Sequence, residues 1–254
     1  MVNILGIQFR TTEAAIMRER VSLERQLGSG VVLECIDALD TNLVWAAPET
    51  ILAGYAGVVL GGSGDLDFDG DRPIDDAVRQ ISQEILERLR PVFQYIFDHD
   101  IPTLGICYGH QILGTFAGAE VRCDANQRKT KSHEVQFLVD KHKHFLFTDL
   151  PDTFYGHYGH KDVVDRVPEG ALLLLQGGEG CQVSALQYKK NIYTVQFHPE
   201  LTYLEMVDRI KSSPGYLPEG VDVEEVFKDD PSSNLIVRNF AKLVELHSGV
   251  VSPI

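Results

Sequence analysis

Pro102-Thr103-Leu104-Gly105-Ile106-Cys107-Tyr108-Gly109-His110-Gln111 is the stretch on which the fold turns. Pro102 to Ile106 is an apolar run of strand length, and Tyr108 to Ala117 is a helix-period segment that begins one residue after it. Between them a glycine stands two residues to either side of Cys107. Gly-x-nucleophile-x-Gly permits a sharp strand-to-helix turn, because neither glycine carries a Cβ to collide with the other arm. Such a turn lifts the thiol above the carboxyl edge of a sheet, where ligands bind in open α/β folds. The helix N-terminus behind it adds exposed N–H groups and a dipole that favour the thiolate.

Outward from this turn, strands and helices alternate. Val2 to Phe9, Val31 to Ile36 and Gly57 to Leu60 have strand character. Thr12 to Leu27 is helical in period, capped by Thr11 or Thr12 and ended by Gly28, and Asp75 to Phe97 is a long amphipathic segment. This alternation favours a mostly parallel sheet with helices on both faces. Beyond residue 134, Val135 to Val139, Leu172 to Leu175, Val183 to Gln187 and Ile192 to Phe197 are strands at shorter intervals, which suggests antiparallel strands added to the parallel core. Residues 211–233, rich in Ser, Pro, Gly, Asp and Glu, form a long loop excursion, and Asn234 to His247 a closing helix. One domain over residues 1–254 is expected.

Composition narrows the function classes. The chain has 254 residues, 23 Lys and Arg against 37 Asp and Glu, and a formal net charge of −14. That balance excludes a general nucleic-acid-binding face and leaves only a short basic patch at Arg128 to Lys131. No run approaches ~18 apolar residues, so no membrane span is expected. The N-terminus lacks the basic region and cleavage site of a signal peptide. Cys35, Cys107, Cys123 and Cys181 are scattered and form no Cys-x-x-Cys, which fits a reduced, cytoplasmic protein.

A second chemical signal is Thr194-Val195-Gln196-Phe197-His198-Pro199-Glu200 at the end of an apolar strand. Residues i and i+2 of an extended chain share a face, so Glu200 can orient His198 as a general base. A third is Gly57-Val58-Val59-Leu60-Gly61-Gly62-Ser63-Gly64, a strand that empties into glycines whose N–H groups can approach a ligand closely. One of these, with the N–H after the nucleophile, could form an oxyanion hole.

Together the three segments, over about residues 50 to 205, resemble the class I, triad-type glutamine amidotransferases, and in particular their GMP-synthetase-like glutaminase members. The resemblance implies a flavodoxin-like α/β fold. It implies Cys107 as nucleophile, His198 as base and then acid, Glu200 as the residue that orients the imidazole, and an oxyanion hole from the Gly62 and Tyr108 N–H groups. It also implies that Gln111 helps hold the amino-acid end of glutamine. Gly159-His160-Lys161-Asp162-Val163 lies where GMP-synthetase-like members carry Ser-His-Gly-Asp-x-Val, so His160 and Asp162 are carried over as supporting residues. The implied reaction is glutamine hydrolysis through a γ-glutamyl thioester, without a cofactor. Residues after about 205 are too few for an ATP-using domain, so the ammonia is expected to go to a separate synthetase chain.

Two features depart from the family pattern. The segment after the elbow helix, Asn126 to Val135, has Arg128, Lys129 and Lys131 and no glycine. It is either a solvated loop before a strand or a cationic wall that would favour a γ-glutamyl peptide with an extra carboxylate. Asp65-Leu66-Asp67-Phe68-Asp69-Gly70, with Asp76 further on, imitates a calcium loop, but it follows a strand and ends in Asp instead of Glu. An acidic loop without metal is the expectation, and no zinc site is expected from the histidines. The alternatives to a glutaminase are a γ-glutamyl peptidase and a non-catalytic regulatory subunit.

Overall fold

The computed structural model describes residues 1–178, 180–212, 217 and 220–249. β1 (Val2–Gln8) leads to α1 (Glu13–Leu27), which Thr12 caps and Gly28 ends at a φ of 83°. Then come β2 (Val31–Asp37), the short α2 (Pro48–Ile51), β3 (Gly57–Leu60), α3 (Ala77–His99), β4 (Thr103–Ile106) and α4 (Tyr108–Phe116). The second half contains β5 (Val121–Cys123), β6 (Lys129–Phe137), β7 (Phe154–His160), β8 (Asp162–Val164), β9 (Leu172–Gly177), β10 (Cys181–Gln187) and β11 (Ile192–Val195). α5 (Tyr203–Lys211), α6 (Val223–Val226) and α7 (Leu235–His247) close the chain.

Nine strands form one sheet in the order β2-β1-β3-β4-β11-β10-β9-β6-β7. The first five are parallel neighbours and the rest pair antiparallel, in the flavodoxin-like arrangement. β3, β4 and β11 are buried along their whole length, as parallel strands covered on both faces must be. Their side chains alternate between two cores. Val59, Leu104 and Ile106 pack with Leu23 of α1 and Phe240 of α7, whereas Leu5, Ile7, Val58 and Leu60 pack with α3 and α4. Among the described residues no helix is long and apolar enough to cross a membrane.

The structure corrects the sequence reading in the second half. β6 begins at Lys129, six residues before the expected Val135, so the basic segment is mostly strand and not a solvated loop. Lys129 is buried, and its ammonium donates to the Gly177 carbonyl at 2.6 Å. β7, with the sequence Phe-Tyr-Gly-His-Tyr-Gly-His, pairs along β6 although it lacks the apolar alternation that marks a strand. β5 and β8 form a separate antiparallel pair. The described part of residues 211–233 is more than a loop: Val223 and Phe227 are buried against Leu201, Met206, Val207 and Ile210 of the α5 region.

Candidate active site

The carboxyl ends of β1, β3, β4 and β11 are neighbours in the sheet, so the segments that leave them meet. β1 runs on to Arg10, β3 to Gly61 and Gly62, β4 to Cys107, and β11 to His198 and Glu200. Cys107 has φ 52° and ψ −98°, a conformation strained for a residue with a side chain, and its N–H is held by the Val195 carbonyl at 2.8 Å. The flanking glycines are steric requirements. A Cβ on Gly105 would lie 2.8 Å from the Gly109 carbonyl oxygen, and one on Gly109 would overlap the Leu60 carbonyl.

His198 and Glu200 are fully buried, and His198 Nδ1 is 2.7 Å from Glu200 Oε1. The carboxylate thus fixes the ring with Nδ1 as the donor, which leaves Nε2 as the basic nitrogen. Burial opposes charge on all three groups, and mutual attraction overcomes it. Burial would push the Cys107 thiol up, but the His198 charge and hydrogen bond, with the charges of Arg209 and Arg10, hold it below its ordinary value. His198 is disfavoured as a cation by burial and is nonetheless raised, chiefly by Glu200. Glu200 is penalised by burial and still lowered, chiefly by His198. The arrangement can support a thiolate–imidazolium pair whose imidazole then shuttles a proton.

Further side chains surround this group. Arg209 of α5 brings Nη1 to 3.4 Å from His198 Nδ1 and 4.0 Å from Glu200 Oε1. Gln196 Nε2 lies 3.7 Å from the Cys107 sulfur. Arg10 and Glu19 form a buried ion pair at 2.7 Å, and Glu19 Oε1 also accepts the Gly62 N–H at 3.0 Å. Sequence reasoning singles out none of Arg10, Glu19, Gln196 and Arg209. One signal exists for Glu19: residues 19, 22, 23, 26 and 27 form the buried stripe of α1, and a carboxylate at the head of such a stripe needs a buried partner.

Tyr108 stands at the first position of α4, where N–H groups have no partner within the helix. Its ring is buried between Phe9 and Phe68. Gln111 is buried, with its amide nitrogen donating to the Asp162 carbonyl at 2.8 Å and lying 3.4 Å from Gln196 Oε1. His160 Nδ1 is 3.1 Å from the Asp162 carbonyl, and burial lowers its pKa to about 3. The Asp162 carboxylate accepts the N–H groups of Phe68, Asp69 and Gly70 at 2.7–2.9 Å, so it anchors the acidic loop. That loop turns its own carboxylates onto arginines: Asp67 and Asp76 onto Arg72, and Asp69 onto Arg79. Among the described residues no group of three or more His, Cys, Asp or Glu is arranged to hold a metal ion.

A doubly wound α/β sheet with a cysteine elbow and a His–Glu pair at its carboxyl edge defines a class of nucleophile-bearing α/β proteins. Within that class the chain belongs to the class-I glutamine amidotransferase family, whose family model matches residues 74–210. It is 36% identical over 127 residues to a subunit of the glutamine-hydrolyzing GMP synthase of Methanocaldococcus jannaschii, covering 49% of this chain and 64% of that one. It is 30% identical over 159 residues to the corresponding subunit of Methanopyrus kandleri, covering 62% of this chain and 73% of the relative. The match spans only 22% of the GMP synthase of Caldicellulosiruptor saccharolyticus. In fold it is similar to a glutamine amidotransferase of Thermotoga maritima, with a TM-score of 0.64, 20% identity, and 96% and 97% of the two chains covered. A glutamine amidotransferase of Methylobacillus flagellatus gives a TM-score of 0.60 at 17% identity, with 98% and 92% covered.

Proposed function

We propose that this protein hydrolyses the side-chain amide of glutamine and supplies the ammonia to a separate synthetase chain. The carrying observation is the strained Cys107 elbow beside the buried His198–Glu200 pair. In this reading the Cys107 thiolate attacks the amide carbon, and the carbonyl electrons move onto oxygen. As they return, the C–N bond breaks and His198 gives its proton to the departing ammonia. His198 then takes a proton from water, which attacks the thioester and frees glutamate. The Tyr108 and Gly62 N–H groups are the candidate donors to the oxyanion. Gln111, His160 and Asp162 enter as residues that shape the wall of the site, because their polar atoms are committed to one another and to the 68–70 backbone.

The relatives named as GMP synthase subunits support a GMP synthase-type receiver for the ammonia. Four cysteines free of disulfides support a reducing, cytoplasmic setting, and a single domain is the simplest reading of the continuous sheet. The γ-glutamyl peptidase alternative loses part of its motive, since Lys129 is buried and bound to Gly177. The test is glutamate release from glutamine and from γ-glutamyl dipeptides, by wild type and Cys107→Ala, with and without a candidate synthetase. Cys107-dependent release from glutamine, stimulated by the synthetase, is expected. Release from the dipeptides alone would replace the reading with the peptidase.

A further inference from the structure

The Gly62 N–H, which the reaction proposed above needs for its oxyanion, already has an acceptor. It donates to Glu19 Oε1 at 3.0 Å. The same oxygen receives Arg10 Nε at 2.9 Å and Nη2 at 2.7 Å, and Glu19 Oε2 receives Gln8 Nε2 at 3.1 Å. Glu19 and Arg10 are each 5% exposed, so this is a buried, fully engaged carboxylate. Direction matters as much as occupancy. A Cβ built on Gly62 would stand 3.1 Å from His198 Cε1 and 3.6 Å from Cys107 Cβ. The Gly62 Cα therefore presents its substituent side to the reacting sulfur while its N–H faces α1. A peptide N–H donates along one line, and a carboxylate at its end also repels a second anion there.

We propose that Glu19 is a positioning residue that latches the Gly62 peptide away from the oxyanion, so that the protein rests with a half-built hole. Release of Glu19 frees the N–H to meet the tetrahedral intermediate beside that of Tyr108. The geometry offers the carboxylate somewhere to go. A cavity of about 650 Å³ between α1 and α5 is lined by Glu19 and Arg10 together with Arg18 and Arg209. Turning into it exchanges the Gly62 contact for water and a second guanidinium. Oxyanion donors are worth ~100–1,000-fold in rate, so the latch accounts for low basal turnover in a protein whose thiol is otherwise activated.

The inference rests on the glutaminase reading, and the test separates the two. The probe is glutamate γ-semialdehyde: the Cys107 sulfur adds to the aldehyde carbon, an S–C bond forms, and the carbonyl electrons pass to an oxygen that occupies the oxyanion position. Wild type, Glu19→Gln and Glu19→Met are compared. The latch predicts at least about tenfold tighter aldehyde binding and a similar rise in kcat for glutamine in the variants, with KM little changed. Alkylation of Cys107 by iodoacetamide, which forms no oxyanion, should keep its plateau rate. Unchanged or weaker aldehyde binding with normal alkylation would overturn the latch and leave Glu19 a structural support. Absence of any adduct in all three forms, with Cys107 alkylating normally, would remove the glutamine reading and the latch with it. A crystal structure of the wild-type adduct decides without variants: Gly62 N–H on the adduct oxygen supports the proposal, and Gly62 N–H still on Glu19 overturns it.

Discussion

Arg209 illustrates how one side chain sets the chemistry of its neighbours. Its guanidinium is 4.0 Å from Glu200 Oε1 and 3.4 Å from His198 Nδ1, and its charge helps hold the Cys107 thiol down while opposing protonation of His198. Its own pKa is lowered, first by burial and then by Arg10. Arg209→Gln removes a cation from a centre that stabilises a thiolate, so the midpoint of Cys107 alkylation with pH should move upward. Hydrolysis of glutamine near pH 7 should fall by about two- to tenfold. Arg209→Lys should recover part of both. An alkylation midpoint that stays where it is would show that Arg209 only packs. The residues with strong local signatures, Cys107, His198 and Glu200, were legible because nearest-neighbour geometry dictates them: glycines for the elbow, and i and i+2 for the shared strand face. Arg10, Glu19 and Arg209 were not legible, since each acts on the site from another segment.

At the scale of elements, the anchoring of residues 65–76 by β8 shows a loop organised by a single carboxylate. Asp162 is buried and receives three backbone N–H groups from Phe68, Asp69 and Gly70, while Asp69 in turn receives the Cys123 N–H of β5 at 2.9 Å. Asp162→Ala would leave those donors without an acceptor, at a cost of about 3 kcal/mol. The urea midpoint should drop accordingly, and the loop should become a preferred site of limited proteolysis. A variant with the wild-type midpoint and cleavage pattern would refute the anchor. β1, α1, β2, β3, α3 and β4 were legible because their periodicity is strong and their caps are local, Thr12 and Gly28 at α1 and Asp76 at α3. β6 and β7 were read poorly because Lys, Thr, Ser, Gly and His carry no strand pattern. They are strands because each supplies the other's ladder from Lys129↔His160 to Val135↔Phe154.

Over the whole molecule, burial of neutral histidines ties stability to pH. Burial pushes His110 and His160 to about 3, and burial together with the His198 charge pushes His157 to about 4. In the unfolded chain these groups titrate near ~6.5. Their folded pKa values lie below the unfolded one, so the unfolded state binds more protons as pH falls below ~6.5, and stability is lost progressively toward 3–4. The net charge of −14 works the other way, because protonation of surface carboxylates relieves self-repulsion. The histidines titrate first, so the urea midpoint should fall between pH 7 and pH 5. His110→Gln combined with His160→Gln should flatten that slope. A midpoint that holds or rises over this interval would mean that repulsion dominates.

The sequence by itself determined the alternation that makes a doubly wound sheet, the elbow at Cys107, and the pairing of His198 with Glu200. All three follow from interactions within a few residues along the chain, where sterics and periodicity leave little freedom. Tertiary structure alone decided which donors and charges surround the thiol. Glu19 reaches Gly62 across 43 positions of sequence, Asp162 reaches the 68–70 backbone across more than 90, and Arg209 reaches the His198–Glu200 pair from a separate helix. Such contacts depend on how strands order themselves in the sheet, because buried charge is tolerated only where packing brings an opposite charge or a donor to it.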